Sequence, residues 1–251
     1  MFCNFRDNEL DKYIYRIISL NRLLELFSTQ QNTLIKPSKW EDTFENFILK
    51  AKVKLVSGEI VEYNIHDRIY GQCWTRESAS DAMWRIYSPN KDGLRIRTTA
   101  RYLLESMYEA HPELPEAKCC VGKVEYKTEK KIMEIANNTF DDSGISVENI
   151  FRSLLVKRKA FTHESEVRIL YDAWAEKSTA SDLYGYKIDP HRLVGQIMVD
   201  PRQSYSEFKR MKMIIREKTR YQGSIKRSLL YTLPKDIIVN VTNIFDSDES
   251  T

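Results

Sequence analysis

Glu164 and Glu166 are the residues whose type and spacing come closest to chemistry. They stand two apart in Thr162-His163-Glu164-Ser165-Glu166-Val167-Arg168-Ile169-Leu170, which reads as a β-strand. Side chains alternate across a strand, so both carboxylates fall on one face, with Val167, Ile169 and Tyr171 on the other, toward a core. Two like charges on one face repel. A close carboxylate pair is also what proton transfer or chemistry at a sugar requires. The plainer reading is an exposed edge strand, its glutamates in water and Arg168 nearby.

Four other groupings have chemical potential. Tyr13-Ile14-Tyr15-Arg16 reads as an opening strand with the tyrosines on one face and Ile14 and Arg16 on the other. A guanidinium beside isoleucine wants an anion, or lies along apolar neighbours with its head in water. Trp40 and Phe44 sit in an acidic loop, placed to stack on a base or to pin the loop to the core. After Cys73-Trp74-Thr75, a hydroxyl-rich turn containing Ser78 and Ser80 leads into a helix with Met83, Trp84 and Tyr87. Amides at such a helix start hold phosphate, whereas aromatics at helical spacing suit a core. Finally, Lys209, Arg210, Lys212, Arg216, Lys218, Arg220, Lys226 and Arg227 are opposed by Glu217 alone. That is a solvated helix face or a phosphate contact.

Other classes lose ground. No G-x-x-x-x-G-K-[ST], G-x-G-x-x-G or G-x-S-x-G occurs. Cys3, Cys73, Cys119 and Cys120 show no C-x-x-C spacing, and His66, His111, His163 and His191 are scattered, which argues against zinc. Adjacent Cys119 and Cys120 point to opposite faces of a strand. Reduced thiols and the charged start predict a cytoplasmic protein without a signal peptide, and no apolar run suits a membrane span. With 39 Lys and Arg against 36 Asp and Glu, the net charge of +3 is not that of a bulk nucleic-acid binder.

The elements that must position these residues alternate irregularly. Strands are expected near 13–18, 32–36, 69–75, 94–98, 119–126, 162–170, 197–199 and 224–233, with strand material at Ile188 and Leu193 and a hairpin, or partly a loop, within 52–66. Helices are expected after Ser19, Ser80 and Thr99, and near 128–138, 147–158 and 204–216. Asp141-Asp142-Ser143-Gly144 reads as a turn. Strands and helices without a regular β-α-β beat predict an α+β fold with mixed or antiparallel sheets. One domain over 1–245 is expected, then a disordered acidic tail, 246–251.

In this order the segments resemble an uncharacterised bacterial family, domain of unknown function family 2971. The matching residues are Tyr13-Ile14-Tyr15-Arg16, Trp40-Glu41-Asp42-Thr43-Phe44-Glu45, Cys73-Trp74-Thr75, Met83-Trp84-Arg85-Ile86-Tyr87 with Gly93, and Glu164-Ser165-Glu166-Val167-Arg168. The resemblance covers roughly residues 10–175. Glu41 and Thr43 replace the Asn and Pro of the family's F-N-D-P-F-E-like loop. The motif order is in turn similar to that of ADP-ribosyltransferases, although their S-T-S strand is absent. That similarity implies NAD as cofactor, with Arg16 on its phosphates and Tyr15 beside it. It implies Thr75 or Ser78 bracing the nicotinamide ribose and Trp40 or Trp84 stacking on a ring. It also implies Glu166 on the ribose 2′-hydroxyl, steadying the positive sugar, and Glu164 orienting or deprotonating the acceptor.

The leading expectation is therefore an NAD-dependent ADP-ribosyltransferase-like protein. It would be a toxin or anti-phage defence effector that modifies protein or nucleic acid, with an inhibitory partner protein. Two alternatives stay open: a metal-dependent nuclease using Glu164, Glu166 and Asp42 or Asp81, and a non-enzymatic interaction domain working through Lys209–Arg227.

Overall fold

The computed structural model describes residues 1–45, 49, 52–54, 57–62, 67–137, 146–175 and 180–232. In chain order the elements are β1 (Phe2–Cys3), β2 (Tyr13–Ser19), α1 (Leu20–Thr29), β3 (Gln31–Ile35), β4 (Lys52–Lys54), β5 (Ile60–Glu62), β6 (Ile69–Thr75), α2 (Asp81–Tyr87), β7 (Gly93–Thr99), α3 (Ala100–Ala110) and β8 (Cys119–Lys123). There follow β9 (Glu125–Lys127), α4 (Glu129–Asn137), α5 (Val147–Leu154), β10 (Val156–Arg158), β11 (Glu166–Asp172), β12 (Leu183–Lys187), α6 (Pro190–Leu193), β13 (Gln196–Val199), α7 (Tyr205–Thr219) and β14 (Ser224–Arg227).

Hydroxyl side chains start five of the helices. Ser19, Ser80, Thr99, Ser146 and Ser204 each accept from a backbone N–H in the first turn that follows. At β2–α1 and β7–α3 the last strand residue is itself the cap, so strand passes into helix without a loop. The helices then cover the sheet with apolar stripes: Leu23 and Leu26 of α1, Leu103 and Met107 of α3, Met211 and Ile215 of α7.

The main sheet runs β1-β8-β11-β6-β2-β7-β13-β14. Only its outermost pairs, β1 with β8 and β13 with β14, are parallel. The fold is α+β with a mostly antiparallel sheet, as the patterning predicts. Period two splits the core between the faces. Ile14, Trp74, Ile96, Cys119, Val121, Val167 and Ile169 face the helical layer, while Cys120 and Leu170 meet Ile150, Phe151 and Leu154 of α5 on the other side.

Five expectations need correction. The carboxylate stretch is no edge strand: β11 lies between β8 and β6, and all of its residues are buried. Nor does the strand begin at Thr162, because Lys159–Glu164 is a 3-10 turn and Ser165 sits at φ 44 in the left-handed region. The helix expected to 158 ends at Leu154, and β10 pairs instead in parallel with β9, placing Val156 opposite Glu125. That pairing buries Lys157, a tertiary gain that helix periodicity cannot show. Around 188–193, Pro190 opens α6 in place of a strand, and the last strand stops at Arg227. Asp141-Asp142-Ser143-Gly144, residues 63–66 and the tail 246–251 lie outside the described residues.

One feature of the topology matters most for function: the sheet forks at β6. Its C-terminal residue Thr75 pairs with Tyr15 of β2, while Gly71 pairs with Ile35 of β3, which carries β12 on its far side. Between those contacts β2 and β3 diverge, and Gln72, Cys73 and Trp74 border the gap. Gly71 permits the arrangement. A Cβ there would stand 2.9 Å from Trp40 Cζ2 and 3.0 Å from Leu170 Cδ2. Gly71→Ala is expected to displace the indole and to destabilise the fold by about 1–3 kcal/mol, the range for overpacking. Chemical denaturation followed by tryptophan fluorescence checks both effects.

Candidate active site

Strand register assembles the site. Tyr15 lies opposite Thr75, and Thr75 opposite Glu166, so three residues singled out from the sequence form one row across β2, β6 and β11. One pair further along β11, Arg168 lies opposite Cys73 on the same face.

Around Glu166 three carboxylates and two cations interlock. Lys157 Nζ contacts Glu45 at 2.9 Å and Glu166 at 3.2 Å, and also bridges to Glu164. Arg168 donates from Nε to Glu166 Oε2 at 2.8 Å and from Nη1 to Leu154 O at 2.6 Å, while Nη2 reaches both Glu45 and Glu166. Its guanidinium lies 4.4 Å from the Trp40 ring centroid and has no exposed surface. Tyr126 Oη accepts from the Glu166 backbone N–H at 2.8 Å. All five ionisable side chains are buried, where charges persist only if paired.

The two central carboxyls are driven apart. Burial pushes Glu166 up, but Arg168 and Lys157 outweigh it and hold the group below its ordinary value, hence ionised. Glu164 has no arginine. Burial is the largest influence on it, Glu166 adds to that, and Lys157 only partly opposes, leaving it pushed up to about 7. Tyr87 Oη stands 3.5 Å from Glu164 Oε1, and burial beside the two carboxylates raises this phenol too.

Two cavities meet at the fork. One, of about 220 Å³, is lined by Tyr15, Arg16, Trp40, Thr75, Tyr87 and Glu166 among others. Its neighbour, of about 170 Å³, is lined by Arg16, Arg22, Gln31, Asn32, Thr33 and Gln72 among others. Arg16, Gln72 and Trp74 border both. Gln72 is fixed there: it donates to Asn32 Oδ1 at 2.7 Å and accepts from Trp74 Nε1 at 2.7 Å. Arg16 is different. Among the described residues no hydrogen bond or ion pair engages it, and Glu25 on the same rim is taken by Arg22 at 2.7 Å. Desolvation holds the guanidinium below its ordinary range, opposed by the Cys73 thiol.

The structure thus brings Arg16, Tyr15, Trp40, Thr75 and Glu166 to one cavity, whereas the Glu164 side chain is buried, lines neither cavity and meets that lining at the Tyr87 hydroxyl, 3.5 Å away. Two proposed contacts do not fit. Trp84 is 1 % exposed in the core and lines neither cavity, so it offers no ring to a ligand. Ser78 is exposed on the loop beyond β6 and also lines neither. Thr75 lines the cavity, but its hydroxyl is committed, donating to Glu164 O and accepting from the Glu77 N–H at 2.9 Å. Sequence reasoning gave no role to Glu45, Lys157, Tyr87 or Tyr126. The one available signal was the i, i+2 spacing of Glu166 and Arg168, which puts that pair on one strand face.

For a divalent cation the cluster is poorly composed. Lys157 already stands between the two glutamates, Asp42 pairs with Arg158 at 3.0 Å, and Asp81 pairs with Arg85 at 2.7 Å. Among the described residues no group of three or more His, Cys, Asp or Glu is arranged to hold a metal ion.

Fold and site define an α+β protein with a buried carboxylate–cation cluster at a forked sheet. The resemblance read from its motifs stands: the family model "Protein of unknown function (DUF2971)" matches residues 83–169, which include the Met83–Tyr87 helix and Glu164–Arg168. No protein of curated function matches the chain. Similar solved structures include Thermus sp. 2.9 DarT in complex with NAD+, at 12% identity and TM-score 0.41, over 87% of this chain and 96% of that one. The same protein in complex with ADP-ribosylated ssDNA gives 12% identity and TM-score 0.40, over 87% and 94%. Its complex with carba-NAD+ gives 13% identity and TM-score 0.38, over 89% and 97%. Among the described residues no helix is long and apolar enough to cross a membrane.

Arg168→Met leaves Glu45 and Glu166 buried beside a single cation. The expected cost is about 3–5 kcal/mol, the range for breaking a buried ion pair. Urea denaturation checks it; a loss below about 1 kcal/mol would mean that the cluster is hydrated and loosely held.

Proposed function

We propose that the chain is an NAD-dependent ADP-ribosyltransferase whose substrate lies across the fork of the sheet. One observation carries the reading: Arg16, a guanidinium with no ion pair among the described residues, and a buried carboxylate kept ionised, Glu166, line the same cavity. Breaking the nicotinamide–ribose bond sends the bonding pair to nicotinamide and leaves positive charge on the sugar. A fixed anion stabilises that charge most where water is excluded.

Each residue then has a defined task. Arg16, at the wall between the two cavities, suits the bridging phosphates, because a guanidinium binds phosphate oxygens in a fork. Both Glu166 oxygens accept from cations, yet a carboxylate has about four lone-pair sites, which leaves capacity for a ribose hydroxyl. Trp40 presents its ring to the cavity, and its place over Arg168 limits how far it can turn. Glu164, pushed up to about 7, lines neither cavity but stands 3.5 Å from the hydroxyl of Tyr87, which lines the first; as the acceptor's nucleophile bonds to ribose, Tyr87 would take its proton while passing its own to Glu164. A reaction that consumes NAD and marks an acceptor suits a cytoplasmic toxin or anti-phage defence effector, for which an inhibitory partner protein would be required.

Nicotinamide released from NAD, measured by mass spectrometry in the presence of EDTA, tests the assignment. Glu166→Gln should lower turnover about 100- to 1000-fold, the cost of losing one preorganised electrostatic stabiliser, while NAD binding by calorimetry stays close to wild type. Arg16→Ala should instead weaken NAD binding about 10- to 100-fold, as expected for a lost charged hydrogen bond. Unchanged turnover in Glu166→Gln sinks the proposal. Activity abolished by chelation would favour the nuclease alternative.

The pH profile supplies a separate check. Only ionised Glu164 can accept a proton, so transfer to acceptor should rise with pH and level off above about 7. Glu164→Gln should lower the plateau and remove the inflection. For stability the sign is opposite: the folded value lies above the ordinary 4.5, so this group's contribution is full below about 4.5 and is lost as pH rises through about 7.

A further inference from the structure

Two thiols meet at the edge of the sheet, and neither lines a cavity of the candidate active site. Cys3 of β1 lies opposite Gly122 of β8, and Cys120 stands two residues before Gly122 on the same sheet face. Their sulfurs are 2.9 Å apart. The backbone is held on both sides of Cys3. The Val121 N–H donates to Met1 O at 3.0 Å, and Asn4, in the left-handed region at φ 62, donates from Nδ2 to Lys123 O at 2.8 Å. Gly122 makes room for this approach: a Cβ there would overlap Leu155 Cδ1 and stand 3.1 Å from Cys3 Cβ.

The two sulfurs differ as a reacting pair must. Cys3 is half-buried, whereas Cys120 is buried among Ile150, Phe151, Leu154 and Leu155. The hydrogen bond that Cys120 donates brings Cys3 down to about 7; burial opposes it and Arg152 adds to it. The same bond, with burial, pushes Cys120 up. The thiolate is the nucleophile, so Cys3 is the member that meets an oxidant and Cys120 the thiol behind it. Cys73 and Cys119 are different. Neither faces another sulfur among the described residues, and burial pushes both up to about 12.

We propose that Cys3 and Cys120 are a modification site for hydroperoxides, closing into a reversible disulfide that staples β1 to β8. The Cys3 thiolate attacks one oxygen of the hydroperoxide. An S–O bond forms, the O–O bond breaks, and the departing hydroxide or alkoxide takes up the proton that Cys3 had released. The Cys120 sulfur then attacks the sulfenic sulfur of Cys3. The S–S bond forms, the S–O bond breaks, and hydroxide leaves with the Cys120 proton as water. The thiols together lose two electrons and the hydroperoxide gains them. Closing from 2.9 Å to the ~2.05 Å of a disulfide moves the sulfurs by about 0.9 Å, a small demand on a two-residue strand at the edge of the sheet. A half-exposed bridge stays open to thiol reductants, which makes the step reversible.

Hydrogen peroxide added to the reduced full chain tests this. The intact mass should fall by two hydrogens, a cross-linked Cys3–Cys120 peptide should appear in a non-reducing digest, and dithiothreitol should reverse both. The oxidised chain should melt about 5–10 °C above the reduced one, because the bridge joins residues 117 positions apart and so constrains the unfolded chain. Cys3→Ser should abolish the mass loss and the melting shift. In Cys120→Ala the sulfenic acid has no internal partner, so oxidation should add oxygen to Cys3 instead. Cys3 is half-buried, so its variant gives a reading even if Cys120→Ala fails to fold. Absence of the cross-linked peptide, a bridge between two chains in place of the internal one, the same mass loss in Cys3→Ser, or equal melting of oxidised and reduced wild type would each overturn the proposal.

Discussion

Three carboxylates share two cations in the middle of this protein, and that imbalance sets the character of the site. Glu45, Glu164 and Glu166 surround Lys157 and Arg168, all buried. Burial makes an uncompensated charge expensive, so one carboxyl is favoured in its neutral form at moderate pH. Geometry decides which. Glu166 touches both cations, whereas Glu164 touches Lys157 alone, and Glu164 is the group pushed up to about 7. The same interactions that stabilise the cluster give it one permanent anion and one titrating group. A buried ion cluster is weak proof of stability by itself. Here it divides two chemically identical side chains into distinct electrostatic roles, two residues apart.

The backbone supplies what the cluster cannot, a space beside it. β6 serves two partners in succession, β2 at Thr75 and β3 at Gly71, and the interval between those contacts opens both cavities. The polar atoms that such a gap would expose are tied into the Asn32–Gln72–Trp74 network, with Tyr186 Oη accepting from Asn32 at 2.9 Å. These groups are satisfied and rigid, so they shape the walls without competing for a ligand. Trp40 links the two features, since it packs on the backbone at Gly71 and lies over Arg168. Displacing it disturbs cavity and cluster together.

How much of this was legible in the sequence follows from the range of each interaction. Period two correctly placed Val167, Ile169 and Tyr171 on the core face, and it sent Cys119 and Cys120 to opposite faces. Hydroxyl residues before apolar stripes marked the caps at Ser19, Ser80 and Thr99, because capping is a contact within one turn. The pair Glu164 and Glu166 was seen, but for a reason that does not hold. The two do not alternate along one strand; Ser165 in the left-handed region turns Glu164 back, and Lys157 draws both together. Lys157 itself was read as helix, since its burial depends on pairing of β10 with β9 some thirty residues earlier. Glu45 is further still from Arg168 in sequence, and no local pattern joins them.

Arg16 presents the opposite case to the cluster, and the contrast bears on function. Two shielded carboxylates in this fold have partners: Asp172 is ion-paired with Arg68 and Lys118, and Asp200 with Arg202. A fold shaped for stability alone would pair or replace a desolvated guanidinium, because burial disfavours its charged form. Arg16 has an isoleucine two residues to either side, and it stands where two cavities join. Among the described residues no acid offsets its partial desolvation, and an arriving anion would. On this argument the cost belongs to the empty cleft and is relieved on binding, so a multivalent anion that bridges the two cavities should raise the thermal stability of wild type and leave Arg16→Ala almost unmoved.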